Sequence, residues 1–261
     1  MSKSSAFELI DRLAPESAAL FLDFDGTLAE IVARPSDVTV SERNLASLVS
    51  LSDRMDGALA IVTGRDVQTM DAFLAPHQFT ISGVHGFEVR RPGKGISRLE
   101  FDVDALSRVR ERLARFRDAN DGLLMEEKPG SVTLHFRQRP DLDEKVREVV
   151  AEAVAGEDGL QVQAGKMVFE VKAHAGDKGA AIAFFMNEAP FAGRVPIFIG
   201  DDVTDEAGFA VVNKRGGVSI KVGDGETTAD YTLDDPEAVM DWLETFAGTA
   251  EQAEQVSGEG G

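Results

Sequence analysis

Two carboxylates stand one residue apart near the start of the chain, directly after an apolar run. Residues 20–28 read Leu-Phe-Leu-Asp-Phe-Asp-Gly-Thr-Leu, so Asp23 and Asp25 follow a pattern typical of a buried strand. Because side chains alternate along a strand, we expect both carboxylates on one side, at the carboxyl edge of a sheet. Like charges that close raise each other's pKa unless a cation lies between them. A hard cation such as Mg²⁺, which takes oxygen ligands and phosphate, is the simplest explanation.

Other local structures can also place two aspartates in this way. An EF-hand loop needs Gly at its sixth position and Glu at its twelfth, but counting from Asp23 these positions hold Leu28 and Arg34. A solvated Asp-Gly turn remains an alternative interpretation. Hairpin turns are usually flanked by alternating strands, whereas the residues before this Asp-Gly pair form an unbroken apolar run. Asp25 or Thr27 can also cap a helix, which is compatible with a site.

The elements that must position these acids alternate between strands and helices. Buried strands are predicted over residues 58–62, 79–82, 195–199 and 218–222. Helices are predicted over residues 7–13, 42–53 and 236–246, with two more that begin at Asp66 and in the segment 176–179. Ser41 is the expected N-cap of the helix over 42–53. This alternation is typical of the βαβ units of a parallel sheet.

The pattern changes between residues 87 and 173. Hairpins are predicted from residues 87–91 with 96–101, 123–126 with 132–137, and 160–164 with 167–172, and helices over 104–118 and 141–154. Hairpins interleaved with helices indicate an antiparallel α+β unit. We therefore expect residues 1–87 and 173–247 to form a discontinuous catalytic core. Residues 88–172 then form an inserted cap domain, and residues 248–261 a disordered tail.

Composition limits the classes of partner. The 261 residues are 43% hydrophobic, contain no cysteine and carry a net charge of −19. The missing cysteines exclude disulfides, thiolate metal sites and cysteine nucleophiles. The negative charge argues against nucleic acid and anionic membranes as partners, and no apolar stretch approaches the roughly 20 residues that span a bilayer. Residues 1–5 precede no apolar signal core, so we expect a cytoplasmic monomer that acts on a small molecule.

Further polar groups follow other predicted strands or begin a helix. These are Thr63, Lys178, and the acids Asp201, Asp202 and Asp205. An aspartate can act as nucleophile, a second acid can protonate the leaving oxygen, and a hydroxyl and a lysine can hold phosphate oxygens. Together these groups are typical of phosphoryl transfer. No Gly-x-x-x-x-Gly-Lys-Ser/Thr loop is present, which excludes a P-loop.

Each of these groups also has a simpler interpretation by itself. Thr63 can cap the helix that follows it, and Lys178 can be a solvated lysine at a helix start. Asp201 and Asp202 can be capping acids at a helix N-terminus. The order of the groups and their positions at strand ends favour a site over four separate coincidences.

Four motifs in this order resemble those of the haloacid-dehalogenase-like phosphatases. They are Asp-Phe-Asp-Gly-Thr-Leu at 23–28, Thr-Gly-Arg at 63–65, Gly-Asp-Lys-Gly at 176–179, and Gly-Asp-Asp-Val-Thr-Asp-Glu at 200–206. Within that superfamily, residues 20–246 resemble the trehalose-6-phosphate phosphatases, most specifically where the last motif continues to Gly-Phe-Ala-Val-Val-Asn at 208–213. The resemblance implies an α/β fold: a haloacid-dehalogenase-like, Rossmannoid parallel sheet with helices on both faces, plus an inserted α+β cap domain of the C2 type.

The resemblance also implies roles for the acids. Asp23 would be the nucleophile and a Mg²⁺ ligand. Asp25 would be the general acid/base and would lend the metal its backbone carbonyl. Asp201 would be the third protein ligand, with Asp202 and Asp205 supporting the metal directly or through water.

Substrate contacts are implied in the same way. The residues matched to phosphate binding are Thr63 and Lys178, with Gly64 and Arg65 next to them in the motif. The residues matched to trehalose binding in the cap are Glu126, Lys128 and Glu170. A carboxylate–lysine–carboxylate set can exchange hydrogen bonds with sugar hydroxyls, but the same three residues can equally form an exposed cross-strand salt-bridge set.

The function that the resemblance implies is Mg²⁺-dependent hydrolysis of trehalose 6-phosphate, a step of trehalose biosynthesis, through an aspartyl-phosphate on Asp23. Three alternatives stay open: the same chemistry on another sugar phosphate such as sucrose or hexose phosphate, a phosphomutase, and a non-catalytic sugar-phosphate sensor or regulatory subunit. The complete set of catalytic groups counts against a sensor, which needs neither a nucleophile nor its acid.

Overall fold

A computed structural model describes residues 4–32, 37–98, 103–128, 130–157, 159–173 and 177–248. These residues divide into two compact units. The core unit contains the described part of Met1–Arg98 and Gly176–Gly261, and the inserted unit contains the described part of Leu99–Ala175. The predicted tail, apart from Gly248, lies outside the described residues, as do Pro129 and the end of the hairpin strand predicted over 96–101.

The strands, in chain order, are β1 (Ser4–Ser5), β2 (Ala18–Leu22), β3 (Leu59–Val62), β4 (Thr80–Gly83), β5 (Glu88–Arg90), β6 (Ser97–Arg98), β7 (Leu124–Lys128), β8 (Ser131–His135), β9 (Leu160–Gly165), β10 (Val168–Ala173), β11 (Val195–Gly200), β12 (Val218–Val222) and β13 (Tyr231–Leu233). The α-helices, in chain order, are α1 (Glu42–Arg54), α2 (Val67–Leu74), α3 (Val103–Asp118), α4 (Asp143–Val154), α5 (Lys178–Phe185), α6 (Glu206–Lys214) and α7 (Pro236–Ala247). The leading helix predicted over residues 7–13 is a 3-10 helix, Ala6–Arg12.

The core unit is built on a nine-stranded sheet with the order β1-β13-β12-β11-β2-β3-β4-β5-β6. The strands from β1 to β4 in this order run parallel, and β5 and β6 pair antiparallel at the far edge. Every residue of β2 and β3 is buried, as expected for strands inside a parallel sheet with helices over it. The predicted α/β architecture, a parallel sheet flanked by helices, is confirmed.

Capping side chains start the helices at the predicted places. Ser41 accepts a hydrogen bond from the Asn44 backbone N–H at the start of α1, and Asp66 accepts one from Thr69 at the start of α2. Asp177 caps α5 in the same way. Each cap satisfies an N–H group that has no partner inside its helix. The capping residues therefore fix where these three helices begin.

The first predicted hairpin belongs to the core unit. Strand β5 pairs with β4 in antiparallel register, and β6 pairs with β5, so the hairpin extends the core sheet. The expected boundary at residue 87 therefore lies earlier in the chain than Arg98, where the core unit ends. Alternation of polar and apolar residues predicts a hairpin but does not say which sheet it joins, because that depends on distant hydrogen bonds.

The inserted unit is an antiparallel sheet with the order β7-β8-β10-β9 and two helices, α3 and α4. One face of this sheet and the helices share an apolar core that includes Leu134, Phe169, Val109 and Val150. The predicted α+β organisation of this segment matches these elements, although α4 begins two residues after the predicted start because residues 140–142 form a 3-10 turn. Within the described parts of both units, we find no helix long and apolar enough to cross a membrane.

Candidate active site

The first aspartate of the opening motif lies just beyond the end of a central strand. Strand β2 ends at Leu22, and the Asp23 backbone N–H donates to the carbonyl of Ile199 at 2.9 Å, which ties it to the neighbouring β11. Asp23 is 4% exposed. The strand thus delivers this carboxylate to the carboxyl edge of the sheet, where open α/β folds hold their ligands.

A buried lysine joins two acids of the site. Lys178, the first residue of α5, is 3% exposed, and its Nζ lies 2.7 Å from Asp23 Oδ1 and 2.7 Å from Asp205 Oδ1. Burial alone would lower the pKa of Lys178, but the charges of Asp23 and Asp205 outweigh it and raise this pKa. Lys178 is therefore a fixed cation and not the solvated lysine of the simpler interpretation.

Asp205 organises the loop that follows β11. Its side chain is fully buried, and its Oδ2 accepts hydrogen bonds from the backbone N–H groups of Asp201 and Asp202, each at 3.0 Å. Burial raises the pKa of Asp205 to about 6, against the opposing effect of Lys178. Since both of its oxygens already accept hydrogen bonds, Asp205 holds the loop and the lysine in place.

Three carboxylates converge here. One oxygen from each of Asp23, Asp201 and Asp205 lies within 4.8 Å of the other two. Burial raises the pKa of Asp23 well above its ordinary value despite the nearby Lys178, and burial also raises the pKa of Asp201. Asp201 Oδ1 is buried and has no hydrogen-bond partner among the described residues. An acidic group of this kind, with a buried oxygen left free, fits a hard divalent cation.

Two glycines make room for these acids. A Cβ added at Gly26, whose φ is +80°, would lie 2.1 Å from Asp201 Oδ2. A Cβ at Gly200 would lie 2.4 Å from the Asp205 carboxyl carbon. The glycine of the opening motif is therefore needed both for its backbone conformation and for the close approach of Asp201.

Asp25 faces a different partner from Asp23. Its two oxygens accept hydrogen bonds from Arg65, with Nε at 2.7 Å and Nη2 at 2.6 Å. The Arg65 guanidinium lies over the rings of Phe24 and Phe73, 5.5 Å and 5.1 Å from their centroids. The expected period-two relation between the two aspartates does not apply, because β2 ends before Asp23 and the chain turns through Gly26.

The Thr-Gly-Arg motif follows β3. Thr63 is 1% exposed, and its Oγ1 accepts a hydrogen bond from the Arg65 backbone N–H at 3.1 Å. The N-cap of α2 is Asp66, so Thr63 is not the cap that the simpler interpretation required. Gly64 is exposed between them.

Asp202 has a capping role in the structure. Its Oδ1 accepts hydrogen bonds from the backbone N–H and the hydroxyl of Thr204, at 2.8 Å and 2.6 Å. The same oxygen lies 4.0 Å from Lys178 Nζ, and the side chain is half exposed. The interpretation of Asp202 as a capping acid is therefore correct, and Asp202 is not part of the converging group.

The residues matched to sugar binding lie in the inserted unit. In the register of its sheet, Glu126 pairs with Thr133, Thr133 with Glu170, and Glu170 with Gln163. This polar row lies on the face opposite the apolar core, because the adjacent row contributes core side chains from the other face. Glu126 lies 3.5 Å from His135, and the side chain of Lys128 lies outside what the structure describes.

One buried charge at the carboxyl edge was missed by the sequence reasoning. Lys221 in β12 is 7% exposed, and its Nζ donates to the backbone carbonyl of Asp201. The available signal was a lysine inside the otherwise apolar strand Val218–Val222. A lysine is rarely buried without a specific partner.

Comparison with known proteins first defines the class. A haloacid dehalogenase-like hydrolase from B. subtilis shares the fold, with a TM-score of 0.58, 16% identity, and coverage of 87% of this chain and 98% of that one. Trehalose-6-phosphate phosphatase from Aspergillus fumigatus superimposes with a TM-score of 0.76 at 26% identity, covering 93% and 96%. The fold is that of the haloacid-dehalogenase-like hydrolases.

Sequence comparison then defines the family. The family model described as trehalose-phosphatase matches residues 21–237. Trehalose-6-phosphate phosphatase of Escherichia coli (strain K12) is 40% identical over 235 residues, which cover 90% of this chain and 88% of that protein. The chain belongs to the trehalose-phosphatase family.

Proposed function

We propose that this chain hydrolyses trehalose 6-phosphate to trehalose and phosphate, with Mg²⁺ as cofactor and an aspartyl-phosphate on Asp23 as intermediate. The observation that carries the proposal is the buried ion pair between Asp23 and Lys178, beside the free carboxylate oxygen of Asp201. It combines a nucleophile, a fixed cation and an oxygen ligand in one place. The substrate assignment rests on the family and on relatives that carry this name.

The residues that would hold Mg²⁺ are Asp23, Asp201 and the backbone carbonyl of Asp25. Two observations support this set: the carboxylate oxygens of Asp23 and Asp201 approach each other, and the buried Asp201 Oδ1 lacks a hydrogen-bond donor. Asp205 fits a supporting role better, since Lys178 and two backbone N–H groups already bind its oxygens. When bound, a divalent cation neutralises negative charge on the acids and the phosphate.

In the first step, an oxygen of Asp23 attacks phosphorus and the bond from phosphorus to the sugar oxygen breaks. The leaving oxygen takes a proton from Asp25, so trehalose departs as a neutral alcohol. Lys178 offsets the negative charge of the attacking carboxylate and of the phosphate oxygens. The hydroxyl of Thr63, which accepts a hydrogen bond from the Arg65 N–H, would donate to a phosphate oxygen.

In the second step, water attacks phosphorus and the bond to Asp23 breaks. Asp25 takes the proton from this water and is ready for the next cycle. Both oxygens of Asp25 accept hydrogen bonds from Arg65 in the structure. Each oxygen keeps a second lone pair, at which Asp25 can exchange a proton with the sugar oxygen or the water while Arg65 fixes the orientation of the carboxyl group.

We assign sugar recognition to the inserted unit, acting as the cap domain. The polar row that contains Glu126 and Glu170 offers carboxylates away from the unit's own apolar core. Carboxylates that accept hydrogen bonds from sugar hydroxyls discriminate against analogues that lack them. Lys128, in the same strand as Glu126, would donate to the sugar.

The test is phosphate release from a panel of sugar phosphates, with Mg²⁺ and with EDTA. We expect trehalose 6-phosphate to give the highest kcat/KM, and EDTA to abolish release on every substrate. If sucrose phosphate or a hexose phosphate is preferred, the proposed phosphatase mechanism is supported but the proposed substrate is wrong. If no phosphate is released from any of them, or release persists in EDTA, the proposed mechanism is wrong.

A further inference from the structure

We propose that Lys221 is a positioning residue that presents Asp201 to the metal. This inference rests on the proposed Mg²⁺ site. Lys221 belongs to none of the four motifs, and it acts through the backbone of Asp201 without touching the substrate.

The position of Lys221 follows from the sheet. In the pairing of β12 with β11, Lys221 is opposite Gly200, the residue before Asp201. Its ammonium donates to the carbonyl of Asp201 and, at 2.7 Å, to the carbonyl of Val222. Two strand ends at the carboxyl edge of the sheet are thus joined by one side chain.

The environment of Lys221 is unusual for a lysine. The residue is 7% exposed, and none of the salt bridges among the described residues includes it. Burial raises the pKa of Asp201 and the nearby charge of Lys221 lowers it, but no carboxylate in the part of the chain that the structure describes pairs directly with the ammonium. Burying an ammonium on backbone carbonyls alone is costly. An apolar residue at position 221 would be less costly to bury in this strand. The lysine is therefore explained best if its two contacts with backbone carbonyls contribute to function.

The contribution of the Lys221 contacts is seen in the hydrogen bonds that fix the Asp201 backbone. Its backbone N–H donates to Asp205 Oδ2 at 3.0 Å, and its backbone carbonyl accepts from Lys221. Its carboxylate lies in the space that Gly26 leaves open, and Oδ1 is free of hydrogen bonds to other described residues. The backbone is therefore fixed from both sides by buried charged groups, while the side chain keeps an oxygen for a ligand.

Charge and position predict opposite effects of removing Lys221. The positive charge repels a divalent cation, so its loss alone would tighten Mg²⁺ binding. Loss of the hydrogen bond to Asp201 would loosen the ligand and weaken Mg²⁺ binding, and outer contacts of metal ligands typically contribute about 10- to 100-fold in affinity. Because loss of the Lys221 charge also raises the pKa of Asp201, Mg²⁺ binding is compared at neutral and at mildly alkaline pH. Weaker binding in a neutral variant that persists at the higher pH, where Asp201 is ionised, reflects lost positioning.

The experiment measures Mg²⁺ binding by isothermal titration calorimetry without substrate, in the wild-type chain and in Lys221→Met. We expect binding about tenfold weaker or more in the variant. We also expect a correspondingly higher Mg²⁺ concentration for half-maximal phosphate release, with kcat largely restored at saturating Mg²⁺. The matched control is Lys214→Met, which removes a positive charge from an exposed position of the same unit and should bind as the wild type does.

Equal or tighter Mg²⁺ binding in Lys221→Met overturns the inference. If Lys221→Met does not fold, Lys221→Leu, which is also neutral and has no hydrogen-bond donor, is measured in its place with the same expectation. Wild-type protein that does not bind Mg²⁺ overturns both the inference and the metal part of the proposed function. If the wild type binds Mg²⁺ and the variant binds it equally well, the inference about Lys221 is overturned and the proposed function is not.

Discussion

Replacing Gly26 by alanine tests whether Asp201 must approach the opening motif closely. The added Cβ would lie 2.1 Å from Asp201 Oδ2, and real Cβ atoms essentially never come closer than 3.0 Å to another heavy atom. The two groups must therefore separate by at least about 0.9 Å. A misplacement of about 1 Å in an active site can reduce the rate by roughly 100-fold. We expect kcat/KM for trehalose 6-phosphate to fall by about that factor, which corresponds to roughly 2.7 kcal/mol of transition-state stabilisation.

Gly193→Ala is the matched control. Gly193 has a φ of +81°, nearly the +80° of Gly26, but a Cβ there would meet nothing within 4 Å. In both variants the left-handed backbone costs alanine about 1–2 kcal/mol, and a less flexible unfolded chain offsets roughly 0.4–1 kcal/mol of this. We expect the calorimetric unfolding temperature of both variants to be about 2–4 °C below that of the wild type. Only Gly26→Ala should lose activity. Equal kcat/KM in the two variants would refute the need for the close approach.

Two further predictions concern the acid/base and the sugar. Arg65→Lys keeps a positive charge but loses the two-bond grip on Asp25 and the stacking on its aromatic neighbours, so we expect kcat to fall by about 10- to 100-fold in steady-state assays. Glu170→Ala removes a charged hydrogen-bond acceptor worth roughly 1.5–3 kcal/mol, so we expect kcat/KM for trehalose 6-phosphate to fall by about 10- to 150-fold while hydrolysis of p-nitrophenyl phosphate changes little.

Each of these two variants has a matched control substitution in the same structural unit. Arg43 makes a comparable two-bond pair with Glu244 on the surface, at 2.5 Å and 2.7 Å, so Arg43→Lys should leave kcat unchanged. Glu152 is exposed on α4, and Glu152→Ala should affect neither substrate. An Arg65→Lys enzyme with full kcat would show that the pair with Asp25 is incidental. Equal losses on both substrates in Glu170→Ala would indicate that Glu170 stabilises the inserted unit and does not bind sugar.

The strand-end groups could be predicted from the sequence because parallel strands are apolar runs and their ends are easy to locate. Asp23, Lys178 and Asp205 meet in the structure as that reasoning expects. Helix starts were equally readable, since Ser41 and Asp66 are caps by residue type and position. These features depend on local sequence, which is why they were accessible.

What could not be predicted depends on contacts between distant segments. The pairing of Asp25 with Arg65 joins residues 40 positions apart, and it follows from the early end of β2. The contact of Lys221 with the Asp201 carbonyl depends on the register of two neighbouring strands. Strand β13 (Tyr231–Leu233) is too short to produce a periodic pattern.

The proposed mechanism requires Asp23 to carry the phosphoryl group during hydrolysis of trehalose 6-phosphate. The most direct measurement is an acid quench during turnover with Mg²⁺, followed by mass spectrometry of the peptide that contains Asp23. We expect a peptide heavier by one phosphoryl group, with the modification on Asp23, and neither the modification nor turnover in Asp23→Asn. Phosphate on a different residue, or turnover that persists in Asp23→Asn, would contradict this mechanism.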